Sequence, residues 1–280
     1  MECFGARLAT LTAERGQLCV GIDPHPEMLT AWDLPLDVSG LEKCARTMVE
    51  AVAGQVAVVK PQSAFFEAYG AAGIRVLERV LADCREGGTL TLLDAKRGDI
   101  GSTMAAYAQA YLAEGAPLSA DAITVSPYLG FDSLTPAITL AAQNGRGVFV
   151  LARTSNPAGA EVQLAEHDGR PVGQHVVDRV AELNAEAEHG SYGIVYGLTH
   201  DALDLDLSRL NGPILVPGLG AQGGQPEHVG RLFGAQAPAT LPSTSRDVMS
   251  AGPDPVAVAE RVRTVAAQVR DGLGAASVAG

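Results

Sequence analysis

Opposite charges alternate at the end of an apolar run in Thr91-Leu-Leu-Asp94-Ala-Lys96-Arg-Gly-Asp99-Ile-Gly-Ser-Thr103. Thr89 to Leu93 reads as a buried strand, and residues two apart on a strand share a face. Asp94 and Lys96 should therefore project together from its C-terminal end, with Asp99 where the next helix begins. Ionised groups crowded at the mouth of an apolar strand lose hydration and need partners, and such crowding tunes titratable groups for catalysis. Lys43, Lys60 and Lys96 are the only lysines among 20 basic residues, and two of them end expected strands. A lysine so placed could form a Schiff base or deliver a proton. Carboxylates on either side favour its ammonium form and hence the proton donor. Such chemistry calls for neither a metal nor a cofactor. The plainer reading is a satisfied ion-pair network in which Asp99 only caps the following helix.

The elements that must hold these groups follow from the apolar pattern. Short apolar strands are expected at 18–23, 56–60, 89–93, 122–126, 147–153, 193–198, 213–217 and 239–244. Helical stretches alternate with them at 2–15, 41–53, 63–84, 101–114, 134–144, 176–188, 199–210, 225–233 and 255–273. Eight strands alternating with helices over 280 residues suit a single-domain (β/α)8 barrel, although an open doubly wound sheet shares the alternation. Asp23, Lys60, Asp94, Lys96, Ser126 and Arg153 all end strands, which favours the barrel, whose sites lie at that face. Residues 1–280 read as one domain with an N-terminal helix. The 154–173 stretch is an insertion after strand five with a hairpin signal at Asp168-Gly169, and 274–280 reads as a flexible tail.

A second constellation lies in the last two loops. Glycines at 218, 220, 223 and 224 follow Pro217 after strand seven, and Ser245-Arg246 follows strand eight. Glycines let backbone N–H groups approach an anion, and arginine grips phosphate bidentately; barrels often carry phosphate in these two loops. The residues thus imply a phosphate-bearing substrate whose reacting part reaches Lys96. A net charge of −12 argues against nucleic-acid or anionic-membrane binding. Four cysteines without a CxxC pair fit a reducing cytoplasm, and no apolar run is long enough to span a bilayer. Zinc spacing, a Walker loop and a nucleophile elbow are all missing, and His25 and His200 read as loop residues.

Taken in order, these motifs resemble the orotidine 5′-phosphate decarboxylase family, in its longer bacterial subgroup. The Asp-x-Lys-x-x-Asp-Ile-x-x-Thr motif appears as Asp94, Lys96, Asp99, Ile100 and Thr103. Gly-Ile-Asp-Pro-His-Pro, Lys60-Pro-Gln, Ser-Pro-Tyr-Leu-Gly, Thr-Ser-Asn-Pro and Pro-Gly-Leu-Gly-Ala-Gln-Gly-Gly accompany it over nearly the whole chain. The resemblance implies decarboxylation of orotidine 5′-monophosphate to uridine 5′-monophosphate in pyrimidine synthesis, without a cofactor or metal. Lys96 would protonate C6 as carbon dioxide leaves, beside a charged network of Asp94, Lys60 and Asp99. It further implies a homodimer with shared sites, Asp99, Ile100 and Thr103 serving the partner. Asp23 and Lys60 would bind ribose hydroxyls, Ser133 and Ser155 the pyrimidine, and Pro217, Gly218, Gly220, Gln222, Ser245 and Arg246 the phosphate end, with a lid starting at Ala221. Ser126 stands where the subgroup has asparagine, and Thr244-Ser245-Arg246 is a looser match. Two other readings share the motif: a magnesium-dependent sugar-phosphate decarboxylase or aldolase of the same barrel group, and a non-catalytic nucleotide-binding barrel.

Overall fold

A computed structural model describes residues 2–220 and 223–276. Eight parallel strands close into a barrel in sequence order: β1 (Cys19–Ile22), β2 (Val58–Pro61), β3 (Leu90–Arg97), β4 (Ala122–Val125), β5 (Gly147–Arg153), β6 (Tyr192–Tyr196), β7 (Ile214–Pro217) and β8 (Thr240–Thr244), with β8 pairing back to β1. The protein is thus a single-domain (β/α)8 barrel. The outer helices used below are α1 (Phe4–Arg15), α2 (Val38–Val52), α3 (Gly70–Glu86), α4 (Gly101–Leu112), α5 (Thr135–Gln143), α6 (Val172–Asn184), α7 (Pro226–Phe233) and α8 (Pro255–Ala276). No helix among the described residues is long and apolar enough to cross a membrane.

Alternation sorts the side chains of each strand into two layers. Cys19, Val58, Leu90, Leu92, Ala122, Phe149, Val195, Leu215 and Leu241 fill the lumen, whereas their sequence neighbours pack outward against the helices. Helix α1 closes the N-terminal end: Phe4 is fully buried and meets Phe149 edge-on at 6.0 Å between ring centroids. Burying one such ring is worth about 1.5–3 kcal/mol. Gly147 makes this fit possible, because a Cβ there would lie 2.5 Å from the Phe4 ring. With the lower lumen apolar, the same alternation carries a polar layer to the other end, where Asp23, Lys60, Asp94 and Thr124 follow Gly21, Val58, Leu92 and Ala122 at two-residue steps.

Several expected elements shift. The stretch 63–84 is two helices, Ser63–Glu67 and α3, because the chain turns at Gly70, whose φ of 59° leaves the helical region. The expected helix at 199–210 is irregular chain. Leu203, Leu207 and Leu210 keep helical spacing, but Asp206 turns its carboxylate to the Ser208 N–H, a local bond that competes with helix. After β5 come a 3-10 turn at Pro157–Gly159, a helical turn at Ala160–Gln163 and a two-stranded hairpin, Glu166–His167 with Arg170–Pro171. Asp168 and Gly169 both have positive φ at its tip. Helix α8 runs on to Ala276, into the stretch expected as a tail; 277–280 lie outside the described residues.

Candidate active site

Four charged side chains meet at the C-terminal mouth. Lys96 Nζ lies 2.7 Å from both carboxylate oxygens of Asp94. Lys60 Nζ lies 3.5 Å from Asp94 Oδ2 and 3.8 Å from Asp23 Oδ1. The Thr124 hydroxyl donates to Asp94 Oδ1 at 2.7 Å and accepts the Lys96 backbone N–H at 2.9 Å. Sequence reasoning did not single out Thr124, although a lone hydroxyl within Ala-Ile-Thr-Val, at the lumen parity, was a signal that could have found it. Opposite Lys60 in the β1–β2 register stands Gly21, where a Cβ would sit 2.7 Å from that of Ser245. A larger residue there would push the eighth loop away from the mouth.

Burial and charge act against each other in this quartet. Desolvation alone would raise the Asp94 carboxyl. The Lys60 and Lys96 ammoniums, with hydrogen bonds from Lys96 and Thr124, outweigh it and hold the group below the usual carboxylate range. For Lys60, burial pulls downward, and the Asp23 and Asp94 carboxylates overcome it to hold the ammonium above the usual lysine range. Beneath them, burial pushes the Cys19 thiol up to about 12, leaving it inert.

Strand irregularities decide which polar groups reach this mouth. Leu93 pairs with Ile123 but Arg97 with Val125, so β3 carries two extra residues there. Two extra residues preserve parity, and Asp94 and Lys96 stay on the lumen side, with Lys96 held at a φ of 46°. Leu151 pairs with Val195 but Arg153 with Tyr196, a single extra residue, which flips parity. Arg153 is therefore turned out of the mouth where the strand-end pattern placed it, and donates to Asp204 Oδ2 at 2.7 Å.

Asp94 and Lys96 open into a cavity of about 640 Å³ that also touches Ser126, Ser155 and Pro217. Gly220 and Arg246 line a second depression. Pro217 of the first lining and Gly220 of the second belong to one turn, no more than about 11 Å apart along the chain. A molecule with an anionic end at Arg246 could present its other end to Lys96.

The profile of the "Orotidine 5'-phosphate decarboxylase / HUMPS family" matches residues 16–262. The chain belongs to that family. An orotidine 5′-phosphate decarboxylase of Salinispora tropica is 54% identical over 275 residues, covering 98% of this chain and 99% of that one. One from Streptomyces coelicolor is 52% identical over 273 residues, covering 96% and 98%. Among solved structures, the Leishmania donovani orotidine monophosphate decarboxylase superposes with a TM-score of 0.73 at 30% identity, covering 96% of this chain and 99% of that one.

Within this orotidine 5′-phosphate decarboxylase / HUMPS member, the remaining motif residues divide. Asp99 makes no ion pair among the described residues; its carboxylate accepts the Ile100 N–H at 2.8 Å. Ile100 and Thr103 are solvent-exposed at the start of α4, Ile100 at 61%. These three stay outside their own chain's quartet. Ser133 donates to the Gly130 carbonyl at 2.6 Å and does not line the cavity. Gly218 and Gly220 have φ of 118° and 76°, as a tight loop requires. The N–H groups of Gly220, Gly223 and Gly224 donate within the loop, to Gly224, Gly220 and Gly218 carbonyls. The expected cradle of glycine N–H donors is thus closed on itself. Ser245 is half-buried, and the exposed Arg246 guanidinium has no protein partner among the described residues, so it is the free cation of this end. Gln222 and Ala221 lie outside the described residues.

Proposed function

We propose that the protein decarboxylates orotidine 5′-monophosphate to uridine 5′-monophosphate, in pyrimidine synthesis. The observation that carries this is the Lys60–Asp94–Lys96 array, whose Asp94 and Lys96 line a cavity that reaches Pro217, in the turn leading to Gly220 and the depression lined by Arg246. Its support is the family membership and near-full-length relatives that bear the name of this activity.

This reading gives each residue a role. The phosphate pairs with Arg246 beside Gly218, Gly220 and Ser245, and the pyrimidine faces Ser155. Lys60 and Asp23 are placed for ribose hydroxyls. The C6 carboxylate then lies beside Asp94, which keeps its own negative charge because two ammoniums hold it ionised. As the C6–carboxylate bond breaks and carbon dioxide leaves, its electron pair remains on C6. The Lys96 ammonium faces that carbon, stabilises the growing charge and gives its proton to C6; solvent reprotonates the amine. A fixed charge in a closed, low-dielectric site favours the transition state far more than water does.

A second copy of the chain completes the site. Ile100, next to Asp99, is a large exposed apolar side chain, as are Tyr128 and Leu129 after β4, and a homodimer that covers Ile100 would bring Asp99 to the partner's quartet. The four free cysteines support a reducing cytoplasm as the compartment of this activity.

The direct test follows orotidine monophosphate loss by ultraviolet absorbance with purified, chelator-treated protein. Sustained turnover is the expected result. No loss at micromolar protein would overturn the proposal, and turnover that needs added magnesium would favour the sugar-phosphate branch.

A further inference from the structure

The dipeptide Thr154-Ser155 sits in the cavity wall where β5 ends, and nearly every backbone polar group it offers is held by a side chain from elsewhere. Gln163, in the insertion, accepts the Thr154 N–H with Oε1 at 3.0 Å and donates from Nε2 to Thr154 Oγ1 at 2.7 Å. The Thr154 hydroxyl passes the chain on to Asn156 Oδ1 at 2.7 Å. From the other side, in the irregular stretch after β6, the Thr199 hydroxyl donates to the Ser155 carbonyl at 2.7 Å. His200 Nε2 lies 3.1 Å from the Thr154 carbonyl, so that nitrogen carries a proton and donates.

Two glycines let these elements close in. At Gly159 a Cβ would lie 2.7 Å from Thr154 Oγ1 and 2.9 Å from Gln163 Oε1. At Gly197 it would lie 2.5 Å from Ser155 Cα. The stretch after β6 is itself tied down: Arg153 and Tyr196 both bond the Asp204 carboxylate at 2.7 Å, and Gln174 on α6 accepts the Asp206 N–H at 2.6 Å. These contacts form a clamp whose two jaws, the 157–173 insertion and the 197–206 segment, both hold Thr154-Ser155.

We propose that Gln163 and Thr199 are positioning residues that fix Ser155 for the pyrimidine, which gives the insertion a role in base recognition. This rests on the reading above that Ser155 meets the base. The contact lies away from C6 and is the same in bound substrate and transition state, so its loss weakens binding without slowing the chemical step. Gln163→Ala removes two part-buried hydrogen bonds, together worth about a factor of ten. Thr199→Val, at an exposed and nearly isosteric position, removes one, worth about threefold.

The test measures uridine monophosphate and ribose 5-phosphate affinities by calorimetry, together with kcat and KM for orotidine monophosphate. Gln163→Ala is expected to weaken uridine monophosphate about tenfold and raise KM by a similar factor. Ribose 5-phosphate, which lacks the base, should bind as before, with kcat within about threefold. Gln163→Glu keeps an acceptor for the Thr154 N–H and should recover most of the loss. Thr199→Val should move the same ratio in the same direction, and it carries the test alone if the Gln163 variants do not fold. Equal loss of both ligands, or a fall in kcat at unchanged KM, overturns the inference. A wild-type protein that neither turns over orotidine monophosphate nor prefers uridine monophosphate to ribose 5-phosphate overturns instead the function on which it rests.

Discussion

Replacing Lys96 by alanine is expected to stop turnover while leaving the fold and product binding nearly intact, and the structure sets both magnitudes. The Lys96 side chain is 46% exposed, against 9% for Lys60 and 10% for Asp94. Its 2.7 Å ion pair is therefore largely screened by water and worth no more than about 1 kcal/mol of stability. Asp94 would keep Lys60 at 3.5 Å and the Thr124 hydroxyl at 2.7 Å, so no buried charge is orphaned. In a chain of this size 1 kcal/mol corresponds to roughly 2 °C in Tm. The rate loses two contributions. A positioned proton donor is worth about 10²–10⁴. An ammonium about 3.3 Å from a developing carbanion, at an effective dielectric of about 20, contributes about 5 kcal/mol, or more than 10³. Together these imply a fall in kcat of at least about 10⁵. The assay pairs ultraviolet progress curves at saturating orotidine monophosphate with calorimetric titration of uridine monophosphate and a thermal melt. If turnover falls less than about a hundredfold while the product still binds, the proton comes from another group and the assignment is wrong. A loss of more than about 6 °C in Tm would show that the pair is structural.

The shared-site proposal predicts complementation. Lys96→Ala protein mixed equally with Asp99→Ala protein should recover about a quarter of wild-type activity, because half the dimers are hybrids and each holds one intact site. No recovery despite subunit exchange shown by mass spectrometry would refute it. Asp94→Asn should lower stability at pH 7 by about 3 kcal/mol, since the buried Lys60 ammonium keeps only Asp23 at 3.8 Å. The Asp94 pKa is depressed in the folded state, so its contribution is present above its unfolded value near 4 and lost as pH falls through the lower folded value. Urea melts between pH 6 and 2.5 should thus show the wild type losing more stability than the Asn variant; parallel curves would exclude Asp94 as the linked group.

Much of the site was legible because strand alternation is a local property. Leu90, Leu92, Asp94 and Lys96 lie at two-residue steps, so an apolar lumen face must turn polar at its end, whatever closes the barrel. The ordered motifs, the eight strands and the hairpin at Asp168-Gly169 depend likewise on near neighbours. Pairing register does not, because it is set between strands far apart in the chain. Two extra residues in β3 kept Asp94 and Lys96 facing inward, while one extra residue in β5 sent Arg153 outward to Asp204. The segment at 199–210 gave up its helix for contacts to α6 and to Thr154-Ser155, some 45 residues earlier. Asp99 shares a motif with Lys96, yet the start of α4 carries it out of its own chain's quartet. The sequence by itself determined which residue types stand at the strand ends; only the closed barrel decided which of them face one another, since a single-residue slip reverses a side chain's direction and no local pattern records it.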